Sequence, residues 1–232
     1  NHSPGTIRIL LNDMAELVLL DYDGVIVDSA QPVLHQTASF CKEQGLAFDL
    51  TLADFDRLDP ATFTMLAQVC GIPKAAHRSY GRFLFDTLQT DSARIALFDG
   101  IREMLRDLCQ RHILCVVTAN HADVVRTRLA QEGLGDCIHT VYGSDRPGDK
   151  ADHIRDALNK HAIDSTQAWM VGDSVSDIDA ARAGGVNALA VSWGWQSAAL
   201  LQKRMPDHLF HTPQDLHAFL SEPPVPLPTV AP

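Results

Sequence analysis

Glu16 to Ser29 reads ELVLLDYDGVIVDS, an apolar run that stops at two carboxylates, Asp21 and Asp23, with one residue between them. A short Val/Leu run bounded by turn residues suits a strand buried on both faces of a parallel sheet, and in such sheets chemistry collects at the carboxyl ends of the strands. Alternation along an extended chain points Asp21 and Asp23 the same way, and two like charges that close need a cation or a shared proton. Gly24 lets the backbone leave the strand sharply. On this spacing alone, a polar turn after a core strand accounts for the pair as well as a reactive site does.

Two later runs break that tie. Ile113 to Thr118 reads ILCVVT and is followed by Ala119, Asn120 and His121, while Ala168 to Asp173 reads AWMVGD and continues as SVSD to Asp177. Each strand therefore ends in a polar group. Between them, Lys150 in PGDKADHI opens a predicted helix with apolar residues at Ile154, Ala157 and Leu158. An aspartate pair, a threonine, a lysine and a second aspartate pair in this order, each at an element end, form an ordered constellation.

On these motifs the chain resembles the haloacid dehalogenase superfamily over roughly residues 15 to 220. The resemblance implies Asp21 as nucleophile, Asp23 as general acid and base, Thr118 as a phosphate-oxygen ligand and Lys150 as the charge-neutralising cation. It further implies Mg2+ held by Asp21, by Asp23 through its backbone carbonyl and by Asp173, with Asp177 supporting the metal. Thr118, Ala119, Asn120 and Arg57 are expected to contact substrate. Two departures are Ala151 where many relatives carry proline, and Thr118-Ala119-Asn120 where they carry a threonine-asparagine pair. Neither removes a reacting group.

The residue types also suit the chemistry on physical grounds. A phosphate monoester is doubly charged and hydrolyses very slowly unaided, so enzymes acting on it reach accelerations of up to ~10²¹. A carboxylate attacking that dianion needs the repulsion cancelled by a hard divalent ion and by Lys150. Attack forms a covalent aspartyl ester, the leaving alkoxide needs a proton, and water then needs a base, so one group beside the nucleophile can serve both later tasks. A dehalogenase needs neither a second acid nor a metal, and Asp23 argues against it. The expected activity is a magnesium-dependent phosphatase of a small phosphorylated metabolite, phosphoglycolate phosphatase-like. The alternatives are a sugar phosphomutase on the same scaffold and a catalytically silent binding module.

Composition agrees with one catalytic core carrying an insertion. The chain has 232 residues, 46% of them apolar, and no run approaching the roughly 18 continuous apolar residues of a membrane span. No basic segment followed by an apolar stretch opens it, and its five cysteines include no C-x-x-C pair, which predicts reduced packing cysteines and a cytoplasmic location. A net charge of −10 argues against nucleic acid or an acidic membrane as the main partner. A monomer or homodimer is expected.

The interval between the first two strands, about 90 residues, far exceeds an ordinary connection and is helical in pattern. Helices are predicted over Ala30 to Gly45, Ala61 to Cys70 and Ala75 to Leu88, each flanked by glycine or proline. The expected architecture is α/β, a doubly wound parallel sheet with an inserted helical cap: core 15–29 and 94–221, cap 30–93, and a flexible proline-rich tail over 222–232. ILCVVT, IHTVYG, AWMVGD and NALAVS supply the later strands, with a helix over Asp177 to Ala183 stopped by Gly184-Gly185. Among cap cations Arg57, Lys74, His77, Arg78 and Arg82, Arg57 is favoured as facing the site. His121 reads as structural or solvent-facing. Trp193-Gly194-Trp195 resembles a turn of phosphoglycolate phosphatase-like relatives, but reads as an aromatic packing wedge.

Overall fold

The computed structural model describes residues 16–90 and 95–222. Strand β1 (Leu17–Leu20) is followed by helices α1 (Ala30–Glu43), α2 (Phe63–Val69), α3 (His77–Thr90) and α4 (Ile101–Leu108). Then come β2 (Ile113–Val117), α5 (Ala122–Gln131), β3 (Thr140–Tyr142), α6 (Lys150–His161), β4 (Ala168–Gly172) and α7 (Val175–Gly184). The chain closes with β5 (Asn187–Val191), α8 (Ala198–Lys203), β6 (His208–Phe210) and α9 (Pro213–Ser221).

The strands form one parallel sheet in the order β3-β2-β1-β4-β5-β6. β1 lies between β2 and β4, which explains why all four of its residues are apolar and buried. The side-chain period of two then divides the core. Val18, Leu20, Leu114, Val116 and Val171 face one side, against Ile101, Leu105 and Val125 of α4 and α5. Leu17, Leu19, Cys115, Val117 and Met170 face the other, against Ile154 and Ile178 of α6 and α7. Helices on both faces make the fold doubly wound, and the strand order reverses beside β1, where such sheets leave a crevice at their carboxyl ends.

The three inserted helices pack on one another through a separate cluster of Phe40, Cys41, Ala67, Tyr80 and Leu84. The Phe40 and Tyr80 rings meet edge to face at 5.2 Å, and the Tyr80 hydroxyl lies 2.8 Å from Thr37 Oγ1, satisfying a buried polar end. Boundaries move by a turn or less from those expected. α2 begins at Phe63 because Thr62 caps it, accepting from the Met65 amide at 3.2 Å, and α3 is preceded by a short 3₁₀ turn over Lys74–Ala76. A 3₁₀ helix, Leu52–Arg57, stands where a loop is expected. β6 has no forerunner in the sequence reading: it is three residues long, at the sheet edge and only partly buried, so it carries no apolar run.

The expected tail over 222–232 falls almost wholly outside the described residues, as does 91–93 of the expected cap. All five cysteines are free thiols, and among the described residues no helix is long and apolar enough to cross a membrane.

Candidate active site

Three strand ends deliver the polar groups to one crevice. β1 hands over to Asp21, whose amide still bonds the Val171 carbonyl of β4 at 2.9 Å, and β4 hands over to Asp173. Thr118 follows β2, its amide bonded to the Tyr142 carbonyl at 2.9 Å. The sheet thus sets the spacing of these side chains before any of them touches another.

Asp21, Asp173 and Asp177 each offer a carboxylate oxygen, and the three oxygens lie within 4.8 Å of one another. Asp173 and Asp177 are almost wholly buried, and Asp21 nearly so. The ammonium of Lys150 donates to Asp21 Oδ2 at 2.7 Å and to Asp177 Oδ1 at 2.6 Å. Lys150 stands at the first position of α6, which Asp149 and Asp152 fix by a reciprocal capping box. Asp177 does the same for α7: its Oδ2 accepts from the Ser174 amide at 3.1 Å and the Ser174 hydroxyl at 2.6 Å. One residue therefore closes a helix start and anchors the lysine.

Three carboxylates against one ammonium leave the cluster short of positive charge. Burial, and then the neighbouring carboxylates, push Asp173 well above the ordinary carboxylate range. Burial likewise raises Asp21 to about 7, although Lys150 works against the rise. For Lys150, burial acts to lower the pKa, but Asp177 and Asp21 outweigh it and the group is raised. A crowded all-oxygen set that is costly to ionise alone fits a hard divalent cation.

Asp23 is placed apart from this cluster. Its Oδ2 accepts from the Asn120 side-chain amide, and burial raises its pKa, against opposition from a Ser29 hydrogen bond and Lys150. Its carboxylate is not among the three converging oxygens; only the backbone carbonyl remains for the metal contact expected of Asp23. Asn120 also uses its backbone, donating its amide to Thr118 Oγ1 at 3.0 Å. That bond occupies an acceptor site of the threonine and leaves its hydroxyl proton free to donate.

The crevice opens as a cavity of about 570 Å³ bordered by Asp21, Asp23, Thr118, Ala119, Lys150 and Asp173. Its far wall is Pro60, Ala61, Thr62 and Phe63, from the start of α2. Arg57 requires correction. It is absent from this wall, its side chain is 58% exposed, and it pairs with Asp54 at 3.3 Å. The short 3₁₀ helix puts Asp54 three residues away on the same face, where it captures the guanidinium, and the chain reaches the crevice only at Pro60.

The Trp193-Gly194-Trp195 turn is more than a packing wedge. The Trp195 amide donates to Asp173 Oδ2 at 2.6 Å, its indole N–H donates to Ser29 Oγ at 3.2 Å, and its ring borders the cavity. The ring also packs against Phe55, tilted by 45° with centroids 5.0 Å apart, joining the core to the inserted segment. Gln196 extends that join: its Oε1 accepts from the Val175 amide at 2.7 Å and its Nε2 donates to the Leu58 carbonyl at 2.6 Å. The signal available in sequence was the glycine between two tryptophans. A Cβ at Gly194 would lie 2.3 Å from Asp173 Oδ2.

Gly24 is held as tightly. Its φ is +78°, and a Cβ there would lie 1.9 Å from Asp173 Oδ2. Gly24→Ala is expected to lower stability by about 1–3 kcal/mol, from left-handed strain and the forced displacement of a buried carboxylate. Denaturant unfolding measures it, and a change under half a kilocalorie would mean that Asp173 has room to move.

The family model for haloacid dehalogenase-like hydrolases matches residues 18–191. A phosphoglycolate phosphatase from Xanthomonas campestris is 30% identical over 188 residues, 77% of this chain and 84% of that protein. The pyrophosphatase PpaX from Bacillus velezensis is 25% identical over 207 residues, 86% of this chain and 93% of its own. A solved haloacid dehalogenase-like hydrolase from Streptococcus pneumoniae superposes with a TM-score of 0.78 at 23% identity, over 89% of this chain and 99% of that one. With its buried aspartates and Lys150 gathered at the carboxyl end of a sheet wound in this way, and with the family model spanning that sheet from β1 to β5, the chain belongs to the haloacid dehalogenase-like hydrolase family.

Proposed function

We propose that this hydrolase is a magnesium-dependent phosphatase acting on a phosphate monoester of a small molecule through an ester formed on Asp21. The observation that carries the proposal is the meeting of the Asp21, Asp173 and Asp177 carboxylates with Lys150, at a cavity that Asp21, Asp23, Lys150 and Asp173 border. Relatives named for phosphoglycolate and for pyrophosphate hydrolysis support the substrate type.

Asp21 and Asp173 would hold Mg2+, with the Asp23 carbonyl, and Asp177 would support it through Lys150 and Ser174. Bound there, Mg2+ supplies Lewis-acid charge neutralisation of the phosphate oxygens. The chain does the rest. Thr118 turns its free hydroxyl proton on a phosphate oxygen, Ala119 and Asn120 line the same side, and Lys150 adds positive field. Asp21 attacks phosphorus, and the bond to the alcohol oxygen breaks as that oxygen takes the proton of Asp23. A carboxyl raised by burial suits this task. Water then attacks phosphorus, returns a proton to Asp23, and frees Asp21 and inorganic phosphate. Of the expected cap, the described residues 30–90 would cover this chemistry, reaching it through Pro60 to Phe63.

The test joins activity to stability. Phosphate release from an aryl phosphate is expected only with magnesium. In its absence, Asp21 and Asp173 hold protons in the folded chain above the pH at which the unfolded chain releases them, so stability falls as pH rises from the ordinary 3.8 toward about 7. A cation that binds the ionised carboxylates offsets that fall. Magnesium is therefore expected to raise the melting temperature more at pH 8 than at pH 5, as read by calorimetry. An equal rise at both, or none, would place the ion elsewhere.

A further inference from the structure

Resting on the phosphatase reading, the side of the site occupied by Asp23 decides what the phosphate is attached to. The acid must stand beside the oxygen that leaves, so the alcohol projects from the cavity past Asp23 and Asn120. A second cavity, of about 340 Å³, begins there: it shares Asp23, Asn120 and Phe63 with the first. Its walls are apolar on the side of the inserted helices, with Phe63 from α2, Phe85 and Leu88 from α3, and Ile95. Phe85 is one of the few large apolar side chains left exposed among the described residues, at 39%, and its ring borders this cavity.

Charge points the same way. Lys150 and Arg128 are the only lysine or arginine bordering either cavity among the described residues. Lys150 is committed to Asp21 and Asp177. Arg128 is committed to Glu132, at 2.9 Å, and to the Ile95 carbonyl, also at 2.9 Å, and its Nε is buried without a partner, out of reach of a ligand. Asp123 on the rim is likewise paired, with Arg126 at 3.1 Å. Among the described residues, a leaving group bearing a carboxylate or a second phosphate would meet Phe63, Phe85 and Leu88 on one side and the uncharged Thr127 and Gln131 on the other, with no uncommitted cation, an unfavourable desolvation. We infer that the natural leaving group is an uncharged alcohol with an apolar, ring-sized face, seated in this second cavity against Phe63, Phe85 and Leu88.

The test compares benzyl phosphate with phosphoglycolate and pyrophosphate, using the full chain with magnesium. Benzyl and glycolate leaving groups are both alkoxides, so the comparison reads binding more than intrinsic reactivity. Benzyl phosphate is expected to exceed both in kcat/KM by about tenfold or more, the scale set by seating one phenyl ring against aromatic walls. Phe85→Lys, at an exposed position remote from the core, is expected to fold normally and to shrink that preference by about tenfold, chiefly through a higher KM for benzyl phosphate. A preference for either anionic substrate overturns the inference, as does a Phe85→Lys preference equal to that of the unaltered chain. No phosphate from any of the three, or from an aryl phosphate, overturns the phosphatase reading and the inference with it.

Discussion

Asp21→Asn is expected to reduce phosphate release by at least roughly 10³-fold while leaving the folded protein as stable as before or more so. Both halves follow from the same geometry. An amide is a very poor nucleophile toward phosphorus, and no other carboxylate is free to replace it: Asp173 Oδ2 is held by the Trp195 amide, and Asp177 accepts from Ser174 and Lys150. The charge balance accounts for the stability. Asp21 is raised to about 7 by burial and by its acidic neighbours, so removing its charge relieves repulsion in the metal-free cluster, while Lys150 keeps Asp177 as partner at 2.6 Å. Parallel measurement of single-turnover phosphate transfer and of melting temperature checks the pair. A variant that retains a tenth of the activity would remove Asp21 from the nucleophile's place. A variant inactive because it is unfolded would show the carboxylate to be structural.

The parts of this molecule legible in its sequence are those where one local pattern has one structural solution. ELVLL and AWMVG have no polar residue to expose, so they fit only strands covered on both faces, and the polar residues that end them fall at the carboxyl edge of the sheet. Lys150 and Asp177 were legible from the order of the motifs, and the structure sets each in the first turn of a helix closed by a capping box, which fixes where its side chain starts. What escaped depends on contacts distant in sequence. Arg57 looked directed at the site only while the segment around it was taken for a loop; a 3₁₀ helix turns it onto Asp54 instead. Trp195 meets Asp173, Ser29 and Phe55, and Gln196 meets Val175 and Leu58, and of these partners Phe55 and Leu58 lie across the join between the core and the inserted segment. No periodicity encodes such a join. The glycines at 24 and 194 hinted at it, since each marks a place where Asp173 comes too close for a side chain.

The second large effect separates the role of Asp23 from its mere importance. If Asp23 protonates the leaving oxygen, Asp23→Asn should slow ester formation on Asp21 far more for an alkyl phosphate than for an aryl phosphate, because a phenolate departs without help. The difference between the two losses is expected to reach about 10²-fold, the lower end of what a positioned acid contributes. Steady-state rates blur the comparison, since the same carboxylate would later take a proton from water, so single-turnover release of the alcohol or phenol is the measurement. The surroundings sharpen the expectation. The Asn120 amide donates to Asp23 Oδ2, which holds the side chain, and burial favours the protonated form against the opposing Ser29 hydrogen bond and Lys150. Asn120→Ala is then expected to give a weaker version of the same pattern, a selective loss on alkyl phosphates with the aryl rate nearly kept, because it frees the acid to turn without removing it. Equal losses on both substrate types would leave Asp23 a carboxylate that orders the turn after β1, and the proton would have to come from solvent.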